Sequence, residues 1–130
     1  PLVLKKTTEW FLLLDKMKEQ LTDFVKKKDW KPNVLNFVLE YIKDLRPRSI
    51  TRDMNWGIPL PLPNAEGKVL YVWFDAPIGY VSATMEYAIS QGDPDLWKSY
   101  WLDPETKLVH FIGKDNIPFH AVIFPAMCLG

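Results

Sequence analysis

Two stretches of this chain are apolar on both faces. One is Val69–Phe74 in "KVLYVWFDAPIGY", and the other is Leu108–Ile112 in "KLVHFIG". A strand of this kind belongs in the middle of a sheet that is covered on both sides, and such sheets are usually parallel. A helical pattern follows the first stretch from about Pro77 to Ile89, with Gly92 as its stop. "DPDLWKSYW" reads as a short capped helix, and a closing helix follows the second stretch from about Ile117 to Leu129. Strand, helix, helix, strand, helix is the βαβ order of a doubly wound sheet. The expected class is therefore α/β with a partial Rossmann-like parallel sheet.

The first fifty residues have a different pattern. Trp10–Leu14 reads as a short strand. In "DKMKEQLTDFVKKK" the apolar residues Met17, Leu21, Phe24 and Val25 have helical spacing, with Asp15 placed to cap the start. Lys26, Lys27 and Lys28 suit the negative end of that helix and read as a solvated terminus in preference to an RNA contact. "KPNVLNFVLEYIKDLRP" predicts a second helix capped by Asn33 and stopped by Pro47. Its buried stripe would be Val34, Phe37, Val38, Tyr41, Ile42 and Leu45. Two helices joined by a few residues suggest an antiparallel hairpin. Pro59, Pro61, Pro63, Asn64 and Gly67 then crowd into a junction, where prolines two apart allow an extended edge but not a central strand.

The two strand-to-helix junctions resemble each other. "DAP" follows Phe74 and "NIP" follows Asp115, each with an Asx residue placed to cap a helix and a proline in the first turn. In a parallel sheet both helix N-termini would open at the carboxyl edge, where open α/β sheets bind ligands and exposed N–H groups favour anions. Asp75 then reads as a cap or as a site carboxylate. Asn116 is the better cap at the second junction, which leaves Asp115 to accept from a hydroxyl such as a ribose diol. Lys114 reads as a phosphate contact or a solvated side chain. On pattern alone His120, Trp73, Tyr80 and Phe124 read more readily as core residues than as ligand contacts. Pro125 inside the last helix predicts a kink near Ala121.

Composition excludes several classes. Lys+Arg and Asp+Glu are 16 each, so net charge provides no nucleic-acid or anionic-membrane footprint. The single cysteine, Cys128, forms neither an internal disulfide nor a cysteine cage; it reads as a buried small hydrophobe in a reducing compartment. Two histidines and one cysteine make no metal ligand set. No apolar run approaches the roughly 20 residues of a membrane span, and no signal-peptide pattern is present. P-loop, GxGxxG, HExxH, GxSxG and Cys-x-x-Cys motifs are all absent.

At "YVWFDAPIGY" and "HFIGKDNIPFH" with "FPAM" the sequence closely resembles the methionyl-tRNA synthetases, a family of class I aminoacyl-tRNA synthetases. "TEWFLLLDKMKEQLTDFV", "DWKPNVLNFVLEYI" and "SITRDMNWGIPLPLP" match in the same order, so the resemblance covers essentially the whole chain. It implies an internal piece. Residues 1–50 would be the C-terminal part of the connective insertion, a helical hairpin, and residues 51–130 the start of the second half of the Rossmann-like catalytic domain. The HIGH-type and KMSKS-type signatures and the zinc knuckle of the family would lie outside it.

The resemblance further implies that methionine is activated with ATP and Mg²⁺ to methionyl-adenylate and then joined to tRNA(Met), in the cytoplasm. By matching positions, Trp73, Ala76, Pro77, Tyr80, Asn116, His120 and Phe124 would line the methionine pocket. Gly113 and Asp115 would serve the adenosine, with Asp115 on the ribose. Arg52 matches a family arginine important for methionine activation. Phe124 is a mild departure, since tryptophan is common there. Two other readings accompany this one: another class I synthetase of the aliphatic amino-acid group, and a non-catalytic binding module with the same fold. The piece alone is expected to be inactive and, with one sheet flank uncovered, prone to self-association.

Overall fold

A computed structural model describes residues 3, 4 and 6–130. They divide into two compact units, one built from the chain up to Tyr71 together with Gly113–Gly130, the other from Val72–Ile112.

In the first unit, β1 (Phe11–Leu12) pairs antiparallel with β2 (Arg48–Ser49). The strand expected over Trp10–Leu14 is thus shorter, because the chain turns at Leu14–Met17 into a single 3₁₀ turn. Two helices follow, α1 (Lys18–Lys26) and α2 (Pro32–Lys43). Their buried positions, Leu21 and Val25 on α1 and Val38 and Ile42 on α2, are each four apart and so share one face. Neither expected cap forms. Met17 precedes α1 and Lys31 precedes α2, both without a side-chain capping bond. Pro32 takes the first helical position instead, where it has no N–H to lose and a suitable φ. The stripe on α2 is narrower than expected. Phe37 is exposed and stacks on Tyr41, with ring centroids 6.3 Å apart.

The core of this unit joins Leu14, Leu21, Val25, Val38, Ile42 and Leu45 to Ala121, Val122, Ile123 and Ala126 from the end of the chain. Burying a Leu, Ile or Val side chain fully contributes roughly 1.5–3 kcal/mol, so the closing segment is a structural partner of α1 and α2. That segment is not one regular helix. A 3₁₀ turn, Lys114–Asn116, leads to a π-helical stretch, Phe119–Ile123, and then to α6 (Phe124–Leu129). The interruption expected near Ala121 therefore takes the form of a widened register. Pro125 cannot donate to the Ala121 carbonyl, and the Phe124 N–H reaches back five residues to Phe119. Cys128 lies exposed on α6, which corrects its reading as a buried hydrophobe.

A second antiparallel pair completes the first unit. β3 (Thr51–Asp53) and β4 (Lys68–Leu70) align Thr51 with Leu70, Arg52 with Val69 and Asp53 with Lys68. The other edge of β4 is covered by Ile58–Leu60. Leu60 N–H donates to the Lys68 carbonyl (3.0 Å), Leu70 N–H to Ile58 (2.8 Å), and Pro59 faces Val69. The proline-rich junction thus supplies an extended edge. Gly57 enters it at φ 138°, where a Cβ would sit 3.0 Å from Val69 Cβ.

The expected doubly wound parallel sheet is not what these residues form. Among the described residues the sheets are two small antiparallel pairs; of the two runs read as buried strands, Val69–Phe74 is a strand only at Val69 and Leu70, and Leu108–Ile112 is corrected. β4 ends at Leu70 because its lateral partners end there. Tyr71 N–H still reaches the Ile50 carbonyl (2.8 Å), and from Val72 the chain satisfies itself as helix α3 (Val72–Asp75). Leu108–Ile112 is an irregular segment in which Phe111 is 97% exposed. A strand obtains its backbone hydrogen bonds from neighbours, and no strand pairs with this run among the described residues.

The second unit comprises α3, α4 (Ile78–Ser90) and α5 (Trp97–Trp101). As expected, α4 stops at Gly92, which adopts φ 77°. Gly92 N–H bonds to Ile89 and Asp93 N–H to Ala88, a Schellman ending. The packing of α5 on α4 uses Trp101 Nε1, which donates to Thr84 Oγ1 at 2.9 Å, and an edge-on contact between Tyr87 and Tyr100.

Candidate active site

Alternation along β3 places Thr51 and Asp53 on one face and Arg52 on the other. The Thr51/Asp53 face carries a polar cluster that the sequence did not announce. Lys68, almost fully buried, spends its three ammonium protons on Asp53 Oδ1 (2.6 Å), Thr7 Oγ1 (2.6 Å) and Glu9 Oε1 (3.4 Å). Glu9 Oε2 accepts from the hydroxyls of Thr51 (2.5 Å) and Ser49 (3.2 Å). Burial pushes the Glu9 carboxyl upward, but the Thr51 hydrogen bond and the Lys68 charge outweigh it and hold Glu9 below the ordinary carboxylate value. The Asp53 hydrogen bond, against the opposing effect of burial, raises the Lys68 ammonium above its ordinary value.

Arg52, half-buried, lies over the Tyr71 ring with 4.1 Å to the centroid. Its Nη1 donates to Ser49 Oγ (2.9 Å) and to the Thr51 carbonyl (2.5 Å). Both acceptors are neutral.

The segment Gly113–Phe124 also belongs to the first unit. Gly113 is extended and its carbonyl closes the turn by accepting from Asn116 N–H at 3.0 Å. Asp115 sits exposed in that turn. Asn116 makes no side-chain cap, contrary to expectation; its carbonyl instead accepts from His120 Nδ1 at 3.0 Å. That bond requires a proton on Nδ1, because a carbonyl only accepts. Phe124 is partly buried.

Trp73, Ala76, Pro77 and Tyr80 belong to the second unit. Trp73 lies in α3, Pro77 is buried and immediately precedes α4, and Tyr80 is in the first turn of α4. Tyr80 packs against the His110 ring at 5.5 Å between centroids. Asp75 ends α3 and caps nothing, since Pro77 stands at the N-cap of α4. One of its oxygens, Oδ1, is buried without a hydrogen-bond partner. The expectation that Asp75 and Asp115 each follow a strand is therefore corrected, because Asp75 follows a helix and Asp115 lies in a 3₁₀ turn.

Comparison with known proteins bears on all of these residues. A family model described as tRNA synthetases class I (M) matches residues 1–130. The chain belongs to that family. Among curated relatives, the methionine–tRNA ligase of Protochlamydia amoebophila (strain UWE25) is 65% identical over 129 residues, which is 99% of this chain and 18% of that protein. The Chlamydia caviae ligase is 58% identical over 130 residues, or 99% of this chain and 23% of that one. A crystal structure of the apo, free-state methionyl-tRNA synthetase of Mycobacterium tuberculosis superposes with a TM-score of 0.72 at 28% identity. It covers 93% of this chain and 24% of that chain. The chain thus spans about a fifth of the length of the curated class I (M) synthetases it matches.

The cluster of Thr7, Glu9, Ser49, Thr51, Asp53 and Lys68 is what sequence reasoning missed in this class I (M) segment. Its members are separated by up to 61 positions, and no local motif joins them. The usable signal was a lysine at the head of an apolar run, which requires a carboxylate once buried. Among the described residues no group of three or more His, Cys, Asp or Glu could hold a metal ion, and no helix is long and apolar enough to cross a membrane.

Proposed function

We propose that this chain is the part of a methionine–tRNA ligase that carries most of the methionine pocket and part of the adenosine site. The carrying observation is the 65% identity to a methionine–tRNA ligase across 99% of the chain. The complete enzyme would activate methionine with ATP and Mg²⁺ to methionyl-adenylate and transfer it to tRNA(Met), in the cytoplasm. Residues 1–50 would close the connective insertion and 51–130 would open the second catalytic half. In the complete catalytic domain, Val69–Phe74 and Leu108–Ile112 would find neighbouring strands of a Rossmann-like sheet. The zinc knuckle would lie elsewhere in the protein.

Under this reading Trp73, Ala76, Pro77, Tyr80, Asn116, His120 and Phe124 line the methionine pocket. A thioether suits aromatic walls, each contact contributing roughly 0.3–1.5 kcal/mol. Rejecting an aliphatic competitor that differs by one methylene is otherwise weak, about 1–3 kcal/mol. A polar group near sulfur adds selectivity. Either the Tyr80 hydroxyl or the His120 ring would supply that group. Gly113 and Asp115 serve the adenosine, with Asp115 accepting from the ribose. Arg52 pairs with carboxylate or phosphate charge as the adenylate forms. The carboxylate of methionine attacks the α-phosphate, pyrophosphate leaves, and no general base is needed because the attacking group is already ionised.

The test is methionine-dependent ATP–pyrophosphate exchange by the full-length ligase. Tyr80→Phe is expected to lower kcat/KM for methionine about tenfold and to narrow the margin over leucine. Exchange supported better by an aliphatic amino acid than by methionine would overturn the assignment in favour of a synthetase of the aliphatic group.

A further inference from the structure

Two kinds of contact hold Arg52. Nη1 donates to the Ser49 hydroxyl at 2.9 Å and to the Thr51 carbonyl at 2.5 Å. Cζ, from which all three nitrogens branch, lies 4.1 Å from the centre of the Tyr71 ring. The hydrogen bonds therefore anchor one nitrogen, whereas the ring acts on the whole head group. Register explains why the two side chains meet. Arg52 faces Val69 across the β3–β4 pair. Tyr71 lies two residues beyond Val69, and its N–H reaches the Ile50 carbonyl at 2.8 Å, so the antiparallel alignment extends to it. Residues two apart share a face, and a diagonal neighbour is within reach of a long or aromatic side chain. Both residues belong to the first unit.

The chemistry of the ring contact sets what it can do. A carboxylate beside an arginine takes its N–H protons in pairs and offsets its charge. A ring face attracts the cation from within about 6 Å of its centroid, yet takes no proton from the edge of the fork. Among the described residues the Nε and Nη2 protons of Arg52 have no acceptor. That edge is the one a carboxylate or phosphate accepts in pairs. We propose that Tyr71 is a positioning residue for Arg52: its ring steadies the guanidinium while leaving the Nε–Nη2 edge and the charge to the substrate anion. This rests on Arg52 acting in methionine activation.

The test uses the full-length ligase and methionine-dependent ATP–pyrophosphate exchange. Tyr71→Leu is expected to lower kcat about tenfold and to move KM for methionine less than about twofold, the split of a contact used in the transition state. Tyr71→Phe keeps the ring and should recover most of that loss. In an Arg52→Ala background Tyr71→Leu should cost nothing further, because the ring acts through the guanidinium alone. A merely structural tyrosine would lower both backgrounds by the same factor, and that outcome overturns the proposal. So does Tyr71→Leu at the parental rate, or Tyr71→Phe as slow as Tyr71→Leu. If Tyr71→Leu fails to fold, position 71 is filled with phenylalanine and then with its difluoro and trifluoro analogues, which keep the ring and drain its face of negative charge. The kcat should fall at each step, and a flat series overturns the proposal. Arg52→Ala separates the two levels. If it is crippled while Tyr71→Leu or the fluorinated series is normal, only the positioning role is lost. If it is itself normal, the role of Arg52 in activation is lost, and that of Tyr71 with it.

Discussion

Glu9 and Lys68 move in opposite directions from their ordinary values, and the sign of each sets a pH window. A carboxyl held low contributes stability above its unfolded value, about 4.3, and that contribution disappears as pH falls through the depressed folded value. An ammonium held high contributes below its unfolded value, about 10.4, and the contribution disappears as pH rises through the raised folded value. The stability lost on Glu9→Gln should therefore be constant from about pH 5 to 10 and shrink toward zero below about pH 4. Denaturant unfolding across that range measures it, and a Glu9→Gln deficit that persists in acid would contradict the cluster. Asp75 makes a second case at this scale. Its buried Oδ1 has no partner, and an unpaired buried acceptor costs about 1–3 kcal/mol. Asp75→Asn should raise the unfolding free energy slightly and reduce exchange activity, the pattern of a group kept for a ligand. A variant that is less stable and fully active would refute that. His120 and Asp115 were legible in the sequence as polar residues at the head of an apolar helix. Their partners were not, because the bond from His120 goes to a backbone carbonyl, and a carbonyl leaves no trace in the residue letters.

At the level of elements, the helices were readable and the strands only in part. Leu21 with Val25, and Val38 with Ile42, follow a period set within each helix, so the letters suffice. Val69–Phe74 and Leu108–Ile112 have the composition of strands, but a strand is defined by a neighbour. Lys68–Leu70 has neighbours on both sides and is a strand, whereas Leu108–Ile112 has none among the described residues and is not. The caps at Asp15, Asn33, Asp75 and Asn116 failed for a related reason. Each competes with a proline or a preceding turn that fixes the helix start elsewhere. One backbone requirement yields a prediction. Gly57 combines φ 138° with a 3.0 Å approach to Val69, so Gly57→Ala adds strain of roughly 1–3 kcal/mol together with a clash. The thermal midpoint should drop by several degrees, and Val69→Ala in the same chain should recover part of that drop by clearing the contact.

Across the whole molecule the imbalance lies in Val72–Ile112. α4 carries apolar residues all round, yet Ile78, Tyr80, Met85, Tyr87 and Ile89 are exposed, as are Leu108, Val109 and Phe111 in the irregular segment. A helix of this composition is normally buried, and large apolar exposure drives association. The 130-residue chain should therefore sediment as dimers and larger species at tens of micromolar, and Ile89→Ser with Phe111→Ser should shift it toward monomer. A sharp monomer boundary for the unmodified chain would count against this. The first unit has a different consequence, which comes from its discontinuity along the chain. Leu21, Val25, Val38 and Ile42 share their core with Ala121, Val122 and Ile123, so on the ribosome the early helices must wait. While Val72–Ile112 is being synthesised they present a hydrophobic seam with nothing to close it. Closure comes only when Ala121–Ala126 has left the exit tunnel, and until then the seam suits chaperones that hold apolar surface.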